Sequence, residues 1–184
     1  VVQLHQPRGV WLCRNSECER RGRQTRNSST SRTCWKCKTD RRKSGVPPPE
    51  NPNPKTGLFT VVADTFEEVV KQSDAHVFID CTADWCGPSV VVKPFIYQLA
   101  KITQRLDEIR VAMMDTVENM VDPDLFPEPY IPNMKLFLRD KKDGPIKFDG
   151  VRTLEGMIRF IEEHTGVQLA KKLQEKLLDM IYMC

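Results

Sequence analysis

The sequence predicts an α/β fold, a mixed sheet flanked by helices, preceded by a small four-cysteine zinc module, and three observations lead to it. After residue 57, apolar patterns of period two alternate with patterns of period 3.6, as strands covered by helices do. Before residue 44, Cys13 and Cys18 are separated by four residues and Cys34 and Cys37 by two, a spacing at which four thiolates converge tetrahedrally on one zinc ion. Between these regions, residues 44–57 hold five of the chain's 13 prolines and favour an extended spacer over a packed element. The chain thus divides into a zinc module at 8–43, a Pro-rich linker at 44–57, an α/β domain at 58–166 and an amphipathic helix at 167–184.

Charge follows the same division. The 184 residues carry 28 Lys plus Arg against 25 Asp plus Glu, a net +3. Residues 1–44 contribute twelve basic and three acidic side chains, or +9, which leaves 16 against 22, or −6, for the remainder. No apolar run approaches the roughly 18–20 residues of a membrane-spanning helix, so no membrane partner is expected. Seven cysteines, an odd number with four clustered at ligand spacing, argue against a secreted disulfide framework and for a reducing compartment.

Each element has a local reason. Leu58 to Ala63 reads as a strand. Thr65 to Ser73 reads as a short helix with Glu67 and Glu68 in its first turn, and His76 to Thr82 as a buried strand. Residues 87–105 follow a helical pattern with a kink expected at Pro94. Ile109 to Met114 and Met134 to Leu138 are further strands, and Asp143-Gly144 is the expected turn into a strand at Pro145 to Phe148. Thr153 to His164 is a helix closed by Gly166. Leu169, Leu173, Leu177 and Ile181 then recur every four residues among charged neighbours, a stripe that packs on the domain itself or docks another protein. The Pro-rich segment Asp122 to Pro132 is expected to form a rigid loop. His5, His76 and His164 form no ligand pattern.

The fuller pattern of the basic module is Trp11-x-Cys13-x4-Cys18 followed by Asn27-x6-Cys34-x2-Cys37. It resembles the Ran-binding-protein-type zinc finger over about Gly9 to Lys38, with Cys13, Cys18, Cys34 and Cys37 as the implied zinc ligands. Eight residues separate Cys18 from Asn27 where that family usually has three, so an Arg-rich insertion is expected. The aromatic that stacks on RNA bases in the family is replaced by Ser28, and the Thr-Phe pair of its ubiquitin binders by Glu19-Arg20. Charge remains: Arg20, Arg21, Arg23, Arg26, Arg32, Lys36 and Lys38, with Trp35 offering a ring face, form the candidate RNA-binding set, since guanidinium groups suit phosphate contact. A purely structural zinc module with a solvated basic surface and a protein-binding finger are the alternatives.

The segment Asp80-Cys81-Thr82-Ala83-Asp84-Trp85-Cys86-Gly87-Pro88-Ser89 resembles the thioredoxin family, whose loop reads Trp-Cys-Gly-Pro-Cys. The tail from Lys147 to Gly166 looks closest to disulfide-isomerase-type domains. The resemblance implies a thioredoxin-like fold, a buried acid at Asp80, a cis-proline at Pro132 facing the thiol, and Cys86 as the candidate nucleophile at a helix N-terminus, where amides and the dipole favour a thiolate. Ser89 occupies the position of the resolving cysteine and cannot form a disulfide. Cys81 and Cys184 are the other thiols considered for that task. Three readings stay open for Cys86: a retained fold without catalysis, monothiol exchange, or an iron–sulfur ligand of the kind found in loops that usually carry Phe where Pro88 stands.

Together these features lead to the expectation of a non-catalytic adaptor. It binds RNA, ribosomal or otherwise structured, through the finger, and proteins through the α/β domain and C-terminal helix, within a ribonucleoprotein such as a mitochondrial ribosome or its assembly intermediate. The alternative is a monothiol oxidoreductase or redox chaperone acting through Cys86. The start at Val1 instead of Met fits a cleaved presequence, so the mitochondrion is the expected location, with cytoplasm or nucleus otherwise.

Overall fold

The computed structural model describes residues 50–119, 124–128, 130–171 and 174, together with the backbone of three short N-terminal strands. These strands are β1 (Val2–Gln3), β2 (Val10–Cys13) and β3 (Thr25–Ser28). β2 and β3 form an antiparallel pair that sets Trp11 opposite Asn27 and Cys13 opposite Thr25. Cys18, Cys34, Cys37, Arg20, Arg21, Arg23, Arg32, Trp35, Lys36 and Lys38 lie outside the described residues, as do the side chains of Cys13 and Arg26. The zinc and RNA expectations for this module therefore fall outside the described residues too.

The main sheet is built from β4 (Phe59–Thr60), β5 (His76–Thr82), β6 (Ile109–Asp115), β8 (Asn133–Leu138) and β9 (Lys141–Lys147), in the order β4-β6-β5-β8-β9. β4 and β5 run parallel to β6, whereas β8 runs antiparallel to β5 and β9 to β8. β5 is central, and all seven of its residues are buried, the polar His76, Asp80 and Thr82 as well as the apolar Val77, Phe78, Ile79 and Cys81, as befits a strand covered on both faces. Its side chains alternate between the two faces. Phe78 packs with Val92, Ile96 and Leu99 of helix α2 (Gly87–Thr103) and Met157 and Ile161 of α3 (Leu154–Thr165). Val77, Ile79 and Cys81 face the opposite layer, with Val69 and Val70 of α1 (Glu67–Lys71), Phe126 and Phe137.

Four local features depart from the sequence expectations. The helix expected over Thr65 to Ser73 is one wide π-type turn, closed by a bond from Gln72 N–H to the Glu67 carbonyl at 2.8 Å. That turn buries the adjacent Val69 and Val70 together, and the Thr65 hydroxyl, bonded to Val62, marks its start. The turn between β8 and β9 lies at Arg139-Asp140, and Asp143-Gly144-Pro145 sit inside β9. Pro145 is tolerated there because β9 is an edge strand, where a missing N–H breaks no central ladder.

The strand expected at 58–63 pairs only at Phe59 and Thr60. Just before it, the linker's C-terminal half is docked. The Asn51 side-chain amide donates to the Thr60 carbonyl at 2.7 Å and its oxygen accepts from Thr60 N–H at 2.8 Å, while Gln104 Nε2 donates to the Pro54 carbonyl at 3.1 Å. Gly57, at φ +71°, passes so close to α2 that a Cβ would lie 2.7 Å from Gln104 Cβ. Residues 50–57 are thus anchored to the domain by polar bonds that an apolar-pattern reading of a Pro-rich run does not register.

α2 continues through Pro94, which lies in its interior. α3 starts at Thr153, whose hydroxyl accepts from Gly156 N–H at 3.2 Å, and ends at Gly166 in the left-handed region, φ 73°. Phe78, Phe148 and Phe160 meet edge to face at centroid distances of 5.0 to 6.4 Å and tie β5 to the β9–α3 connection. Leu169 is fully buried in the same cluster, which at about 1.5–3 kcal/mol for a buried leucine fastens the start of the C-terminal segment to the domain. Leu173, Leu177 and Ile181 lie outside the described residues.

Candidate thiol site

β5 delivers the chain from the core to the site. After Thr82, a tight turn closed by Cys86 N–H on the Ala83 carbonyl (3.1 Å) leads into α2, and Val90 N–H bonds back to the Cys86 carbonyl at 3.0 Å. Cys86 is the extended residue preceding the helix, φ −88°, and Pro88 occupies the first turn, where its missing N–H costs no hydrogen bond. Opposite stands β7 (Tyr130–Ile131), outside the main sheet and paired antiparallel with β1, Ile131 facing Val2 and Tyr130 facing Gln3. The Ile131–Pro132 peptide bond is cis. The Cys86 thiol donates to the Ile131 carbonyl at 3.7 Å and is buried in a small apolar cluster with Ala83 and Ile131. Only a protonated thiol can make that bond.

On β5 and α2, the elements that flank this turn, lie buried polar groups without partners among the described residues. Asp80 is fully buried between Met113 of β6 and Met134 of β8, and neither carboxylate oxygen has a hydrogen-bond partner among the described residues. Burial pushes its pKa up to about 7, only partly offset by the positive charges of Arg152 and Lys93. The Ser89 hydroxyl, one turn along α2 from Cys86, is likewise buried and unpartnered, as is that of Thr82. At the rim, Lys93 of α2 pairs with Asp84.

The expected site residues Cys86 and Pro132 are neighbours through the Ile131 carbonyl, and Asp80 lies on the face of β5 that α2 covers. Cys81 does not join them. It points to the opposite layer, where burial above all, and the nearby Asp80 charge, hold its thiol well above its ordinary pKa. It is therefore no resolving partner for Cys86. Cys184 lies outside the described residues. Among the described residues, no group of three His, Cys, Asp or Glu side chains is placed to hold a metal ion.

Two sets of site residues escaped the sequence reading. Trp85, Val90 and Val91 are 53%, 50% and 68% exposed, an apolar rim directly beside a buried thiol. The signal was present in Val90-Val91-Val92, because three consecutive apolar residues on a helix cannot all face one core. The second set is Glu128 and Lys135: the Lys135 ammonium, on a side chain 5% exposed, lies 2.9 Å from Glu128 Oε2. A groove of about 310 Å³, whose lining includes Pro52, Asp74, Gln104 and Arg110 and no cysteine, is at the other end of α2.

Residues 57–163 match the thioredoxin family. The chain belongs to that family. The protein disulfide-isomerase of Aspergillus oryzae is 31% identical over 114 residues, 61% of this chain and 22% of its own length. Human protein disulfide-isomerase A4 is 32% identical over 124 residues, 67% of this chain and 19% of its own. The chain thus spans about a fifth of the length of these curated relatives. In fold it is similar to the Trx4 domain of ERdj5, with TM-score 0.52 and 20% identity over 59% of this chain and 96% of that one. It is also similar to the zinc-bound form of human ERp44, at TM-score 0.50 and 15% identity over 58% of this chain and 30% of that one.

These relatives overturn the expectation of a non-catalytic RNA- and protein-binding adaptor in a ribonucleoprotein, because the kinship runs to disulfide isomerases. The expectation rested on the +9 charge of residues 1–44 and on the missing resolving thiol. Charge records attraction to anions in general, and loss of one thiol removes only the internal resolving step.

Proposed function

We propose that the domain is a monothiol member of the disulfide-isomerase group, exchanging disulfides through Cys86 alone. The observation that carries this is the pairing of Cys86, at the start of α2 and against the Ile131 carbonyl, with a serine at position 89. In the forward step the Cys86 thiolate attacks one sulfur of a client disulfide. A Cys86–client disulfide forms, the client S–S bond breaks, and the other client sulfur leaves as a thiolate. Ser89 offers no second thiol, so the adduct persists until another thiolate, the client's own or that of glutathione, attacks its client sulfur; a new disulfide to that sulfur forms, the Cys86–client bond breaks, and Cys86 leaves as a thiolate. The four-cysteine zinc module enters this proposal as an appended element, supported by the β2–β3 pairing that sets Trp11 opposite Asn27.

The test is adduct lifetime. Incubated with a disulfide-bonded client protein, the wild type should accumulate a Cys86-linked adduct visible by mass spectrometry and released by glutathione. Ser89→Cys should shorten that lifetime and give catalytic turnover of insulin reduction. A wild type that forms no adduct, together with a Ser89→Cys variant that gives no turnover, would overturn the reading.

A further inference from the structure

Between Glu128 and Lys135 the chain carries β7, the cis Ile131–Pro132 bond and the start of β8. The two ends of this stretch are joined by charge: Glu128 Oε2 accepts from Lys135 Nζ at 2.9 Å and from Asn133 Nδ2 at 3.2 Å. The Lys135 ammonium also stands 5.2 Å from the centroid of the Phe126 ring. Burial opposes ionisation of Glu128, but the bonds from Lys135 and Asn133 outweigh it and hold its carboxyl below the usual range.

Lys135 is almost entirely buried on a central strand. A buried ion pair adds little net stability over an apolar pair of similar volume, whereas removing one partner is costly. What such a pair supplies is geometry. Here it ties Glu128, ahead of β7, to Lys135 of β8 behind it, on either side of the Ile131 carbonyl that accepts from Cys86 and of the strand edge that already receives an extended segment, the chain's own Val2–Gln3.

We infer that the Glu128–Lys135 pair is a clasp that holds the β7 edge and the Ile131 carbonyl in register with Cys86, making both residues positioning residues for the capture of extended, cysteine-containing peptides. This rests on the exchange reading above. An extended client pairs with Tyr130–Ile131 in place of β1 and brings its sulfur to Cys86. A small disulfide such as oxidised glutathione needs no strand edge and is indifferent to the clasp.

The experiment compares two probes on the full chain: a short extended peptide whose one cysteine is joined to glutathione, and oxidised glutathione itself. Lys135→Met and Glu128→Gln should each slow peptide capture by about tenfold, the scale expected when a supporting group is misplaced. Capture of oxidised glutathione should stay within about twofold, since no interaction with it is removed. The charge-reversed pair Glu128→Lys with Lys135→Glu should recover part of the peptide rate. Equal losses for both probes, in step with lost stability, would mark the pair as merely structural and overturn the inference, as would unchanged rates. If a single variant fails to fold, the neutral double variant Glu128→Gln with Lys135→Met keeps the packing and serves for the same comparison. If the wild type captures neither probe, the exchange reading fails, and the clasp is judged by site-resolved alkylation of Cys86. Faster alkylation in Lys135→Met then supports it, and an unchanged rate overturns it.

Discussion

Cys81 and Cys86 lie five positions apart, and each residue is only 1% exposed, yet they occupy different chemical worlds. Cys81 is locked into the central strand with aliphatic neighbours on the α1 side, and burial holds its thiol protonated. Cys86 ends a turn, starts a helix and touches the carbonyl of a strand that belongs to no larger sheet. Exposure alone does not separate the two thiols. What separates them is the cover: Cys81 lies under the packed α1-side layer of the five-stranded sheet, Cys86 under the two-stranded β1–β7 pair.

The largest expected effect is total. Cys86→Ser should abolish adduct formation with clients while leaving the thermal transition nearly unchanged, and a surviving adduct would place the chemistry on another cysteine. Next comes Asp80. Folded, it keeps its proton up to about pH 7, whereas its ordinary pKa is 3.8. Folding therefore takes up a proton between these values, so stability is greatest below pH 4, falls as pH rises to about 7, and is flat in this respect beyond. At about 1.4 kcal/mol per pH unit the fall approaches roughly 4 kcal/mol. Asp80→Asn should remove that slope in denaturant titrations at pH 4, 6 and 8. A smaller effect is expected at Cys81, where Cys81→Ala should cost about 1–2 kcal/mol by cavity formation and leave client capture at the wild-type rate. Slower capture would refute the contrast between the two thiols. The smallest belongs to Lys93→Met, which breaks the rim pair with the largely exposed Asp84 and should change stability by less than about 1 kcal/mol, measurable by the same titrations.

Much of the fold was legible because its signals are local. β5 matches the expected buried strand residue for residue, since the apolar cluster Val77-Phe78-Ile79 marks a strand covered on both faces. Thr153 and Gly166 bound α3 as their side-chain oxygen and missing Cβ dictate. Asp143-Gly144 misled because a favourable turn dipeptide was outweighed by the β8–β9 pairing, which sets Leu138 opposite Lys141 and forces the turn earlier. At the site, the loop motif located Cys86 and Ser89. Glu128 and Lys135 stayed hidden, because two charged residues seven apart signal nothing until a strand and a cis-proline loop bring them together. The functional expectation failed for a related reason: it weighed the charge of the first 44 residues above the chemistry that a single remaining thiol can still perform.

The docking of Asn51 has a consequence for self-association. A sheet's outer strands expose N–H and C=O groups that invite pairing with another copy of the chain, the usual start of aggregation. At one edge, Asn51 satisfies both outward groups of Thr60 with its side-chain amide. At the other, β9 carries Lys141, Lys142, Asp143, Pro145 and Lys147. Both edges of the five-stranded sheet thereby carry features that disfavour a sixth strand.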